Sequence, residues 1–143
     1  MISFTFNNIS DSILDFNQRQ VADWIESAIK NEGNIPGDIS YTFCGDEDLL
    51  AINKAFLEHD TFTDIISFPT SGNPDIASGE IFISIDRVKE NALDYKTNTK
   101  KELYRVMIHG VLHFLGYEDH SSDEKKQMRA KEDYYLHLHP EFH

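Results

Sequence analysis

The chain of 143 residues carries a formal net charge of −12 and is 40% hydrophobic and 27% charged, a composition that excludes the disordered and fibrous classes. Its size suits one domain, 1–143, able to bury a core without staples, and the single cysteine, Cys44, excludes an intramolecular disulfide. The acidity argues against broad nonspecific affinity for nucleic acid, so an RNA or DNA substrate requires a local basic patch, a metal or a partner.

In chain order, "ISFTF" alternates and is rich in β-formers, which predicts a strand over residues 2–6. Asn17 is placed to cap a helix in which Val21, Trp24, Ile25, Ala28 and Ile29 recur at helical spacing until "NEGN" stops it. "DISYTFCG" reads as a second strand, with Cys44 a small buried residue, and Asp46 starts a helix carrying Leu49, Leu50, Ile52, Asn53, Ala55 and Phe56. "TDIISFP" is a third strand, ended by Pro69 and the polar loop "TSGNPDIASG"; "GEIFISI" is a fourth.

Asp86 is placed to cap a helix through about Leu93, and Thr97 or Thr99 to start a long one running to about Leu115, with Gly116 as the left-handed residue beyond it. Ser121 and Glu124 have capping-box spacing for a last helix, "DEKKQMRAKEDYYLHL", ended by Pro140. The expected architecture is α+β, a small mixed four-stranded sheet packed with about five helices. No apolar run approaches the roughly 18 residues of a membrane span and "MISFTFNNIS" lacks the pattern of a leader, so cytoplasmic residence is the expectation.

The chemistry concentrates in "HGVLHFLGYEDH", residues 109–120. Residues one turn apart in a helix point the same way, so His109 and His113 are placed to hold one Zn²⁺ or another divalent ion that accepts imidazole. The spacing alone is weak, because "HPEFH" at the C-terminus repeats it; Pro140 and the terminal position make that copy read as a solvated tail. The first copy lies in a helix that is apolar on nearly all sides, through Tyr104, Val106, Met107, Ile108, Val111, Leu112, Phe114 and Leu115. Polar rings in such a helix need partners. A turn at Gly116 brings Asp119 or His120 back as a third ligand, and three protein ligands leave an open position of the catalytic kind.

These residues resemble the signature of the YbeY family of rRNA maturation endoribonucleases. The likeness extends to "LLAINKAFLEHDTFTDIISFP" and "GEIFISIDRVKENA", and together the blocks cover about residues 46–138. The resemblance implies a metalloprotease-like, zincin-like fold with the metal site on a buried helix. It also implies a metal-dependent hydrolase that cuts single-stranded RNA in ribosomal RNA maturation and quality control, with ribosomal RNA and the ribosome as partners and neither membrane nor nucleotide cofactor. The family's third histidine falls where this chain has Asp119, with His120 one place beyond; an unchanged loop length favours Asp119.

A second departure is Leu57, where the family commonly has an arginine, so phosphate contact passes to other cations, for which Lys54, His59, Lys100, Lys101 and Arg105 are the candidates. Arg105 and Lys101 precede His109 at one-turn intervals, either as phosphate contacts or as a paired arginine and a solvated lysine. Thr63, Asp64 and Ser67 fall where the family has residues near its cleft, and Asp64 and Arg105 are the catalytic candidates. Gly110 occupies the place where an HExxH peptidase carries its base, which demotes peptide or amide hydrolysis unless Asp64, Glu80, Glu118 or Asp119 supplies the carboxylate. A noncatalytic ribosome-associated factor with a structural ion is the third reading.

Overall fold

In a computed structural model of the chain, which describes residues 1–57 and 63–142, one four-stranded sheet carries the helices. The strands are β1 (Ile2–Phe6), β2 (Ile35–Cys44), β3 (Ile65–Pro69) and β4 (Ile76–Ser84), in the order β1-β2-β4-β3. β1, β2 and β4 run parallel and β3 pairs antiparallel with β4, so the sheet is mixed, as expected. Among the described residues there are five α-helices: α1 (Gln18–Asn31), α2 (Asp46–Leu57), α3 (Ile85–Asp94), α4 (Thr99–Phe114) and α5 (Ser122–Leu138). The side chain of Leu57, residues 58–62 and with them the cation candidate His59, and His143 lie outside the described residues.

Helix α1 forms where its apolar stripe predicts. Asn17 accepts a hydrogen bond from the Gln20 amide, and Val21, Trp24, Ile25, Ala28 and Ile29 are buried against the sheet. Helix α4 is buried on almost every side and packs along β3 and β4, with the Tyr41 hydroxyl of β2 donating to its Met107 carbonyl at 2.8 Å. Helix α5 begins with the expected capping box between Ser121 and Glu124 and closes over α4. It is joined to α1 by the Trp24 indole N–H, which donates to the Tyr135 carbonyl at 2.7 Å.

Several boundaries differ from expectation. β2 starts at Ile35, three residues early, with a bulge between Pro36 and Ile39 that keeps Pro36 and Gly37 within the strand. β4 likewise starts at Ile76, inside the expected loop. Ser84, and not Asp86, caps α3; the Asp86 carboxylate instead accepts from the Asp46 amide at 2.8 Å. Asn98, lying between the two expected threonines, caps α4 through the amides of Lys100 and Lys101.

The C-terminal histidine copy corrects the solvated-tail reading. His139 is fully buried, its ring packed on Trp24 and Tyr104 at centroid distances of 5.1 and 4.8 Å. Aromatic burial outweighs terminal fraying there. Among the described residues, no helix is long and apolar enough to cross a membrane.

Candidate metal centre

Helix α4 presents His109 and His113 on one face, with their Nε2 atoms 3.0 Å apart. Each Nδ1 is already committed. His113 Nδ1–H donates to the Tyr117 carbonyl at 2.9 Å, since a carbonyl can only accept, and His109 Nδ1 lies 2.6 Å from the Glu132 carboxylate of α5. With those protons on Nδ1, both Nε2 atoms offer lone pairs to the same point.

The chain turns back at Gly116, whose φ of +99° is the left-handed conformation that glycine adopts without a Cβ penalty. Beyond the turn the Tyr117 hydroxyl and Lys131 both bond to Glu32 at the end of α1, which pins the returning loop. Asp119 is thereby delivered to the histidines: its Oδ2 lies 3.4 Å from His109 Nε2 and 3.7 Å from His113 Nε2. His120 turns outward, 82% exposed at its side chain and 3.3 Å from Glu118.

The donor set fits a cation. Three lone-pair atoms within 4.8 Å of one another repel unless a proton or a positive ion sits among them. Tetrahedral bonds of about 2.0–2.1 Å, usual for zinc with nitrogen and oxygen, separate ligand atoms by about 3.3 Å. The three separations of 3.0, 3.4 and 3.7 Å bracket that value.

The electrostatics follow from burial and partners. For His109, burial alone lowers the pKa, but the Glu132 hydrogen bond and the charges of Glu132, Asp119 and Asp64 outweigh it and the net direction is up. His113 is shifted down by burial and by its neighbour His109. Asp64, just before β3, is shifted up by burial, and Asn91 of α3 donates to its Oδ2 at 3.1 Å. Buried Glu102 is pushed up to about 7, again by desolvation.

Two clefts meet at the histidines. One, of about 410 Å³, includes Asp64, Arg105, His109, Asp119 and Glu132. The other, of about 480 Å³, includes Thr63, Asp64, Ser67, His113 and Asp119. Asp64, His109 and Asp119 line both. Thr63 and Ser67 thus face the site, although the Thr63 hydroxyl also bonds the Ile65 carbonyl at 3.4 Å.

Of the two readings of Arg105, the structure shows the paired one. Its guanidinium meets Glu102, Glu132 and Asp133 at 3.8, 3.3 and 2.8 Å, and its side chain is only 12% exposed. Lys100 is engaged by Glu141 at the C-terminus, and Glu80 lines a separate apolar pocket with Phe68 and Phe82. The principal omission from the sequence reading is Glu132, which is buried and touches His109, Arg105 and Arg129. Its signal was present: it occupies a position in the stripe Met128, Glu132, Tyr135, Leu136 that helical spacing reserves for the core.

Comparison with known proteins identifies the family. The sequence profile of the family described as Endoribonuclease YbeY matches residues 5–139. The chain is 47% identical over 141 residues to the Endoribonuclease YbeY of Flavobacterium psychrophilum, covering 96% of each chain. It is 46% identical over 129 residues to that of Flavobacterium johnsoniae, covering 90% of this chain and 91% of the relative. The solution structure of TM1509 from Thermotoga maritima superposes with a TM-score of 0.66 at 27% identity, over 96% of this chain and 87% of that one. On the profile match and these identities, the chain belongs to the Endoribonuclease YbeY family.

Proposed function

We propose that residues 1–143 form one metal-dependent hydrolase domain, an endoribonuclease that cuts single-stranded RNA in ribosomal RNA maturation and quality control. The observation that carries this reading is the position of His109, His113 and Asp119 at the junction of two open clefts. A polymer can then run past the centre and leave on both sides, as an internal cut requires. His109, His113 and Asp119 are the proposed ligands of one ion per chain, with zinc as the ion that suits two imidazoles and a carboxylate.

When bound, the ion supplies Lewis acidity toward a phosphate oxygen and lowers the pKa of a water. The remaining work falls to the chain. Glu132 and the Tyr117 carbonyl hold the two imidazoles in the tautomer that directs Nε2 inward. Asp64, whose proton affinity is raised by burial, stands beside His109 as the group that takes up and returns a proton; Asn91 fixes Oδ2, so the exchange is assigned to Oδ1. Arg105 is a positioning residue that clamps Glu132 and through it the His109 ring.

Peptide hydrolysis of the HExxH kind is disfavoured by Gly110. A Cβ at that position would lie 2.9 Å from Ile65 Cδ1 and 3.0 Å from Ile81 Cδ1, so position 110 faces the sheet and offers no place for a base. A purely structural ion is disfavoured by the clefts on both sides of the group. With a net charge of −12 the protein is best suited to meet RNA on the ribosome or through a basic partner in the cytoplasm.

The test is cleavage of single-stranded and duplex RNA by the purified zinc-loaded protein and its His113→Ala variant. Cleavage confined to single strands and lost in the variant is expected. Equal cleavage by both proteins, or cleavage of peptides alongside inert RNA, defeats the proposal.

A further inference from the structure

We infer that Tyr95 and Arg129 form a stacking and phosphate-binding subsite for single-stranded RNA in the first cleft, an inference that rests on the endoribonuclease reading above. Tyr95 lies just past α3 and is 62% exposed, in contrast to the buried Tyr41, Tyr104 and Tyr135. The Arg129 guanidinium of α5 sits over its ring, 5.6 Å from the centroid. Both residues line the cleft that contains His109 and Asp119. Bases stack on aromatic rings and on guanidinium planes alike, so this pair offers a platform that accepts any base.

The cations of this cleft are not equivalent. Arg105 is enclosed and held by three carboxylates, so it has little left for a phosphate. Arg129 is 48% exposed at its side chain, and its contact with the Glu132 carboxylate is long at 3.5 Å. Lys125 is exposed one turn earlier on the same face of α5 and lines the same cleft. Helix α5 therefore turns two cations, Lys125 and Arg129, toward a cleft that is also lined by Tyr95 and by four carboxyl groups. That placement gives the protein a local phosphate contact despite its overall charge, and it was not among the cations considered from sequence.

The probe is a single-stranded oligoribonucleotide made resistant to cleavage and carrying 2-aminopurine, bound to the zinc-loaded protein and followed by anisotropy and by aminopurine fluorescence. Tyr95→Ala is expected to weaken binding by about five- to a hundredfold and to abolish the stacking quench, with Tyr95→Phe restoring both. Arg129→Gln is expected to reduce the slope of log affinity against log salt by about 0.7, the share of one phosphate on a single strand. If the wild type cleaves RNA while Tyr95→Ala and Arg129→Gln bind with unchanged affinity, quench and salt slope, the subsite is overturned and the nuclease reading stands. If the wild type neither binds nor cleaves RNA, both are overturned.

Discussion

Replacing Glu132 by glutamine tests the organisation of the metal group without touching a proposed ligand. The carboxylate accepts from His109 Nδ1 at 2.6 Å and is itself held by Arg105 at 3.3 Å and Arg129 at 3.5 Å. Glutamine keeps the shape but removes the charge that raises the basicity of the ring, and it allows the amide to present N–H in place of oxygen. Loss of such an outer partner lowers metal affinity by about 10- to 100-fold, or roughly 1.4–2.7 kcal/mol. Zinc affinity measured by competition with a chromophoric chelator reads this directly. NMR titration of His109 in the metal-free protein should show its pKa falling, because the hydrogen bond and charge of Glu132 are what offset the effect of burial. Unchanged zinc affinity together with an unchanged His109 titration would refute the reasoning.

Asp119→Asn should lower bound zinc in elemental analysis, whereas His120→Ala should leave it as in the wild type; the reverse result would reassign the third ligand. Gly110→Ala exchanges a gain in helix propensity of about 1 kcal/mol for contacts at 2.9 and 3.0 Å on Ile65 and Ile81, and overpacking of about 1–3 kcal/mol should win, which denaturant unfolding measures. Glu102 binds its proton more tightly when folded, at about 7 against 4.5 for the free group, so the folded state holds more protons in that window and stability falls as pH rises through it. The loss is at most about 3 kcal/mol, and melting temperatures of Glu102→Gln should show a shallower decline over the same interval; an equal decline in both proteins would show that Glu102 is not its source.

The sheet and helices were legible because their signals are local. The stripe of α1, the alternation of β1 and the capping box of α5 each need only neighbouring residues, and the structure places them where those patterns fall. Other features were misplaced where a longer-range contact decides. Asp86 has the chemistry of a cap, but the amide of Asp46, forty residues away, takes its carboxylate. His139 looks like tail until Trp24 and Tyr104 are brought around it. The two histidines were equally legible from helical spacing, whereas Glu132 was not paired with His109 in the sequence reading because the pairing depends on the packing of α5 on α4.

Helix α5 therefore does more than close the fold. One face buries Met128, Tyr135 and Leu136, and within that stripe Glu132 reaches His109 of α4 while Arg129 and Lys125 border the cleft. Four carboxyl groups line the cleft, those of Asp64, Glu102, Asp119 and Glu132, against the cations Arg105, Lys125 and Arg129. A divalent ion at the histidines would tip that balance to positive in a molecule whose surface is otherwise strongly negative. Repulsion of RNA phosphates by the acidic surface and attraction at the cleft both act within about a Debye length, roughly 8 Å at physiological salt. On the proposed subsite, the short basic edge of α5 limits where an acidic chain holds RNA, and metal loading should strengthen that hold.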